Sequence, residues 1–183
     1  MPESPHDVVL PASGEGRLGN VSGALLLGDA ALDPDLVVES ALGLTRLCHE
    51  VVLVGGAPPA LAPGRRVPEV EGPQGPLRAL VSALEACRSE RVLVVVASRS
   101  PISSDLLLAL TVFPNEAVVL PRDASGVYSS CAIFGREAVL PAAREQLARG
   151  EIALADWIDT LGPHFLEGAE LAQLVSEEAL SGP

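Results

Sequence analysis

Val92-Leu93-Val94-Val95-Val96-Ala97 is an unbroken aliphatic run with no polar alternation. A strand with one wet face alternates apolar and polar residues, because successive side chains point to opposite sides. A run without alternation predicts a strand covered on both faces, as at the centre of a parallel sheet. Val51-Val52-Leu53-Val54 reads the same way and stops at Gly55-Gly56. Residues 117–120 and 128–134 supply two further strands, and residues 67–70 a short one.

Helical patterns fill the gaps. Residues 36–47 carry apolar side chains at helical spacing behind Asp33-Pro34, a cap followed by a first-turn proline. Leu77, Leu80, Val81 and Leu84 mark the buried face of a helix through Ala86, opened by Gly72-Pro73-Gln74-Gly75-Pro76. Ser103-Ser104-Asp105 caps a helix over 106–110. Residues 136–148 form another, ended by Gly150, and residues 154–161 a short one, stopped by Gly162-Pro163. A last helix is expected over 168–180, with Phe165 opening the tail. Strand and helix alternate without break or repeat. The prediction is one α/β domain over 1–183, a three-layer α/β/α arrangement on a mainly parallel sheet.

Near the start, Leu10-Pro11-Ala12-Ser13-Gly14-Glu15-Gly16-Arg17-Leu18-Gly19 follows Val8-Val9-Leu10 and precedes the apolar run Ala24-Leu25-Leu26-Leu27. A buried strand emptying into a Gly-rich loop is where α/β proteins bind ligands. Backbone N–H groups in such a loop form an anion-binding concavity, to which Arg17 adds a fixed positive charge. The competing reading is a tight surface turn.

Composition narrows the function classes. Of the 183 residues, 24 are Asp or Glu and 12 are Arg; lysine is absent and the net charge is −12. Such a chain lacks the basic footprint that nucleic acids and anionic membranes require, so neither is expected as a partner. Aromatic residues are only 3%, so the core must be aliphatic. A chain of this length buries roughly 70% of its unfolded surface and needs no disulfide or metal to hold its core. Cys48, Cys87 and Cys131 match neither a disulfide framework nor a metal-ligand spacing and read as buried thiols of a reducing cytoplasm. Met1-Pro2-Glu3-Ser4-Pro5 lacks a basic region and an apolar core, so no secretion signal is expected. No apolar run approaches the ~20 residues of a membrane span.

The chain resembles the molybdenum cofactor guanylyltransferases, the MobA-like nucleotidyltransferases. Their opening motif, LAGGxSxRMGxDKALL, is matched by Leu10, Arg17, Gly19 and Leu25, with Leu18 for Met. Their GPLAGI reads Gly75-Pro76-Leu77-Arg78-Ala79-Leu80. Cys131-Ala132-Ile133-Phe134-Gly135-Arg136, Leu140-Pro141 and residues 154–162 follow the family's ending. Pro11 to Gly19 also looks like the PAAGxGxRLG start of the cytidylyltransferases of isoprenoid synthesis, but the second half follows the molybdenum enzymes.

The resemblance implies a Rossmann-like nucleotidyltransferase fold binding GTP with Mg²⁺. It places Leu10, Ala12, Gly14, Gly16, Gly19, Glu69 and Gly75 on the nucleotide and Arg17 and Arg99 at the reacting phosphates. It also exposes departures. Ser22 stands where the family's lysine steadies the triphosphate, and Val21 where an Asp precedes it. Arg99 occupies the place of the Asp that binds Mg²⁺ in the family's Cys-Asp-Met-Pro motif, and Ala12-Ser13 replace Gly-Gly. Asp123 can supply a metal ligand from a neighbouring loop, although an acid before Gly126 fits turn chemistry. Asp105 fits a helix start, neither His49 nor His164 has a second candidate at ligand spacing, and Trp157 and Tyr128 read as core. The expectation is a guanylyltransferase-related protein with altered catalysis. The alternative is a catalytically silent paralogue acting as a scaffold for a nucleotide or a protein partner.

Overall fold

The computed structural model describes residues 18–28, 32–98, 102–122, 130–150 and 153–167. Among these residues seven strands, β1 (Leu18–Leu26), β2 (Cys48–Val54), β3 (Arg65–Val67), β4 (Arg91–Val96), β5 (Val118–Pro121), β6 (Cys131–Gly135) and β7 (His164–Leu166), form one sheet in the order β3-β2-β1-β4-β6-β5-β7. Of these strands only β6 runs against the rest: it pairs antiparallel with β4 and β5, while the other pairs are parallel. The described helices are α1 (Pro34–Leu47), α2 (Pro76–Ala86), α3 (Ser104–Leu110), α4 (Arg136–Arg149) and α5 (Leu154–Thr160).

The unalternated runs do what their pattern demands. Along β1, Ala24 and Leu26 face a core shared with α2, α4 and α5. Val21, Leu25 and Leu27 face a second core with α1 and α3. β4 divides likewise, Val92 and Val94 one way and Leu93 and Val95 the other. The result is the three-layer α/β/α domain the sequence predicts. Each fully buried Leu or Val contributes roughly 1.5–3 kcal/mol. The Arg149–Glu145 pair on α4, with both side chains more than 60% exposed, belongs to a class worth about 0–1 kcal/mol. Aliphatic burial therefore dominates stability. Trp157 is part of it, at 4% exposure.

Helix ends follow local chemistry. Asp33 caps α1, its Oδ1 accepting from the Asp35 N–H at 3.0 Å. The Ser103 hydroxyl accepts from the Leu106 N–H at 3.2 Å. Gly150 ends α4 at φ 75° and Gly162 follows α5 at φ 62°, conformations that favour glycine.

Five expectations change. β1 begins at Leu18, so Leu18 and Gly19 are strand residues where a loop was expected. Ser22 lies in mid-strand and is fully buried, so it does not hold the triphosphate-facing place assigned to the family's lysine. Cys48 opens β2, because its N–H already satisfies the Leu44 carbonyl and ends α1. The third strand lies at 65–67, since Arg65 pairs with Val52 and Pro68 stops it, and β7 occupies part of the expected tail. Residues 8–10 and the helix expected over 168–180 lie outside the described residues.

A polar knot ties the middle of β1 to the first residues of β2 and to the chain entering β4. The Ser22 hydroxyl donates to Glu50 Oε1 at 2.7 Å and accepts from the Ser89 N–H at 3.2 Å. The Arg88 N–H donates to the same Glu50 oxygen at 2.6 Å. Burial works against the Glu50 carboxylate, but these two donors and the charges of His49 and Arg65 outweigh it and hold its pKa below the usual carboxylate value. A depressed carboxylate stabilises the fold above its unfolded pKa and loses that contribution as pH falls through the folded value. Glu50→Gln should cost about 1 kcal/mol near neutral pH in urea unfolding, a low figure because the carboxylate keeps contact with solvent. The difference from wild type should vanish in acid. Cys48 and Cys87 are buried, and burial foremost pushes both thiols up to about 12. With Cys131 also buried, no thiol should react with a maleimide in the native protein near neutral pH. All should react in urea, as read by mass spectrometry.

Candidate functional site

The strand order reverses between β1 and β4: β2 and β3 are added on one side of β1, and β4 on the other. Open α/β sheets bind ligands outside the carboxyl ends of their strands at such a switch point. The carboxyl edge is closely tied here. The Leu27 N–H donates to the Val54 carbonyl at 3.0 Å and the Ala97 N–H to the Leu26 carbonyl at 2.8 Å. The Val96 N–H reaches the Ser130 carbonyl at 2.7 Å. Two cavities flank this row.

The first is a mixed polar cleft of about 460 Å³ beyond β2 and β3, lined by Gly55, Gly56, Ala57, Pro58, Arg66 and Glu69 among others. Gly55 and Gly56 have φ of 72° and 50°. A Cβ on Gly55 would stand 2.8 Å from Glu69 Oε1, and one on Gly56 2.9 Å from the Leu27 Cβ. These glycines let the loop after β2 lie directly on Glu69 and on the end of β1. Arg66 is exposed at the cleft, its Nη2 donating to the Pro59 carbonyl at 3.3 Å.

Glu69 is half-buried and ion-paired to Arg78 in the first turn of α2. Arg78 Nη1 also reaches the Gly72 carbonyl at 3.5 Å, while its buried Nε has no hydrogen-bond partner. The fully buried Ser82 hydroxyl donates to the Arg78 carbonyl at 2.7 Å and accepts from the Val70 N–H at 2.8 Å. It thereby fixes α2 against the chain leaving β3. Gly75, the residue before α2, is exposed at φ 149°.

The second cavity is an apolar groove of about 240 Å³ on the α2/α4/α5 face, walled by Leu26, Val94, Val96, Phe134, Leu154 and Ile158 among others. Val96 is 41% exposed there. Beyond it, Arg122 follows β5, its guanidinium 4.7 Å from the centre of the Phe165 ring.

Of the residues expected at the site, Glu69 lines the polar cleft, while Gly75 precedes α2 and is not part of that lining. Gly19 belongs to β1. Leu10, Ala12, Gly14, Gly16, Arg17, Arg99 and Asp123 lie outside the described residues. Sequence reading missed three contributors. Gly55-Gly56 read only as a strand stop, although a Gly pair leaving a buried strand is itself a ligand-loop signal. Arg66 and Arg78 carried no motif of their own. Among the described residues, no group of three or more His, Cys, Asp or Glu is placed to hold a metal ion, and Glu69 is engaged by Arg78. The described residues therefore offer no ready-made protein cage for a metal ion. No described helix is long and apolar enough to cross a membrane.

No family model matches the chain, and no curated protein does. Solved structures do. A protein of Aquifex aeolicus VF5 superposes with a TM-score of 0.69 at 12% identity, over 85% of this chain and 90% of that one. The molybdopterin-guanine dinucleotide biosynthesis protein A of Archaeoglobus fulgidus gives 0.64 at 11%, over 83% and 86%. The 4-diphosphocytidyl-2C-methyl-D-erythritol synthase of Anaerococcus prevotii gives 0.59 at 11%, over 88% and 95%. At these identities the similarity establishes the fold, that of the nucleotide-diphospho-sugar transferases.

Gly55→Ala should lower stability by about 1–3 kcal/mol in thermal unfolding, because it forces a side chain into positive φ and against the Glu69 carboxylate. Gly75→Ala has open space around its Cβ and carries only the backbone cost of its φ. It should fall at or below the low end of that range.

Proposed function

We propose that this chain is a guanine-nucleotide-binding protein of the nucleotidyltransferase type, related to the molybdenum cofactor guanylyltransferases, with impaired transfer chemistry. The observation that carries the reading is the polar cleft at the carboxyl edge, lined by the backbone of Gly55 and Gly56 and by Arg66. Glycines allow a base or phosphate to approach the main chain closely. An exposed guanidinium beside them offers two parallel donors to a phosphate.

Guanylyl transfer from GTP to a molybdopterin phosphate needs more. Charge developing on the α-phosphate must be neutralised by cations and donors already in place. Family enzymes bring a lysine and a metal-binding Asp; this chain has no lysine, and Arg99 stands where the resemblance puts the Asp. Removing one such electrostatic group commonly costs about 10²–10³-fold. These losses, with Glu69 held by Arg78, favour a second reading beside the first: a scaffold that binds the nucleotide, or a protein partner, without turnover.

Calorimetric titration with GTP tests binding, and pyrophosphate release with a molybdopterin acceptor tests transfer. GTP should bind, and Arg66→Ala should weaken it by roughly tenfold or more, the worth of one charge-assisted phosphate contact. Pyrophosphate release should stay at the uncatalysed level. Turnover comparable to a working transferase would overturn the loss of chemistry, and failure of any nucleotide to bind at millimolar concentration would overturn the site.

A further inference from the structure

The polar cleft already carries its own counter-cation. One Glu69 oxygen is ion-paired to Arg78, and the other lies under Gly55. Both partners are mostly buried, with side-chain exposures of 19% for Arg78 and 17% for Glu69. The guanidinium is held from behind by the Gly72 carbonyl, and its helix turn by Ser82. Gly72 is in turn seated on α4, since a Cβ there would lie 3.2 Å from the Leu147 Cγ. Arg66 and Glu69 line the cleft, and Arg78, paired to Glu69 outside that lining, offsets the one carboxylate. The cleft therefore carries a surplus positive charge in a chain whose net charge is −12.

We propose that Arg78 takes the place of a divalent metal at this cleft, so that the nucleotide binds as the free polyanion, without Mg²⁺. The inference rests on the cleft being the nucleotide site. Mg²⁺ is held through one or two carboxylates together with substrate phosphates and its own waters, in near-ideal octahedral geometry. Glu69, the carboxylate lining the cleft, already has its charge neutralised by the Arg78 guanidinium on one oxygen, and so attracts a cation weakly. Freeing that oxygen would strand the mostly buried Arg78 charge, which is strongly unfavourable. By cancelling the Glu69 charge, the fixed guanidinium leaves Arg66 as the lining charge a phosphate meets, without a metal. Arg78 acts here as a positioning residue, setting the charge of the cleft through Glu69.

The test compares GTP affinity by calorimetry in excess EDTA and in excess Mg²⁺. The wild-type dissociation constant should agree between the two buffers within about twofold, well short of the tenfold that 1.4 kcal/mol represents. Arg78→Met should weaken binding in EDTA by roughly tenfold or more, with Mg²⁺ restoring it, because Glu69 is then unpaired and able to face a metal. The double variant Arg78→Met/Glu69→Gln should be indifferent to Mg²⁺ again. If Arg78→Met does not fold, as judged by circular dichroism, the wild-type comparison and the double variant still decide. Wild-type affinity that falls tenfold or more in EDTA overturns this inference alone. Absence of binding in both buffers overturns the nucleotide reading and this inference with it.

Discussion

The hydrogen bonds that hold the end of β1 between β2 and β4 set everything at the carboxyl edge. Leu27 donates to Val54 on one side, and Leu26 accepts from Ala97 on the other. Interior strands can be held this way only because aliphatic residues cover both faces, where an unpaired backbone group would be costly. Once β1 is fixed, Gly28, the Gly55-Gly56 turn and Ala97 leave the sheet along one line. The cavities on either side inherit rigid floors. Their difference in character follows from what lies beyond: polar chain after β2 and β3, apolar faces of β4, β6 and α5 on the other side.

The middle of β1 is fixed by polarity. Ser22, Glu50 and the chain at Arg88-Ser89 satisfy one another in a region otherwise filled with aliphatic side chains. A one-residue slip of a strand moves every side chain to the opposite face. Such a slip of β1 would carry Ser22 to the face where Gly23 now sits. A Cβ at Gly23 would already stand 3.2 Å from Cys48 Sγ and 3.3 Å from Leu44 Cβ, so a serine there is crowded. The slip would also leave Glu50 and the Ser89 N–H without their partner. The knot therefore contributes less through its net energy than through the register it forbids, and that register decides which residues reach the carboxyl edge.

Periodicity made most of the fold legible. The runs at Val51–Val54 and Val92–Val96, the Asp33-Pro34 and Ser103 caps, and the Gly150 and Gly162 stops all mark real boundaries. β7 escaped because His164-Phe165-Leu166 is too short to show a period; only its pairing with β5 makes it a strand. The start of β1 was misread for a different reason. Glycine and serine at 19, 22 and 23 suggest a loop, but at 22 and 23 the small side chains admit close neighbours to a buried strand. The site was the least legible part. Glu69 and Gly75 were recognisable through a motif, whereas Arg66 and Arg78 matter only through partners and walls that the folded chain supplies.

Charge shows why local arrangement outweighs composition. A net charge of −12 argues against an anionic ligand if the chain is treated as a uniform sphere. At physiological ionic strength, however, exposed charges more than about 8 Å apart are largely screened from each other. What a phosphate meets at the cleft is the Arg66 guanidinium, the neutralised Glu69–Arg78 pair and the backbone of Gly55 and Gly56. Partial burial strengthens the pair relative to the screened surface acids. An acidic surface slows the approach of any anion, an effect of encounter that salt relieves. It leaves the cleft free to favour an anion once one has arrived.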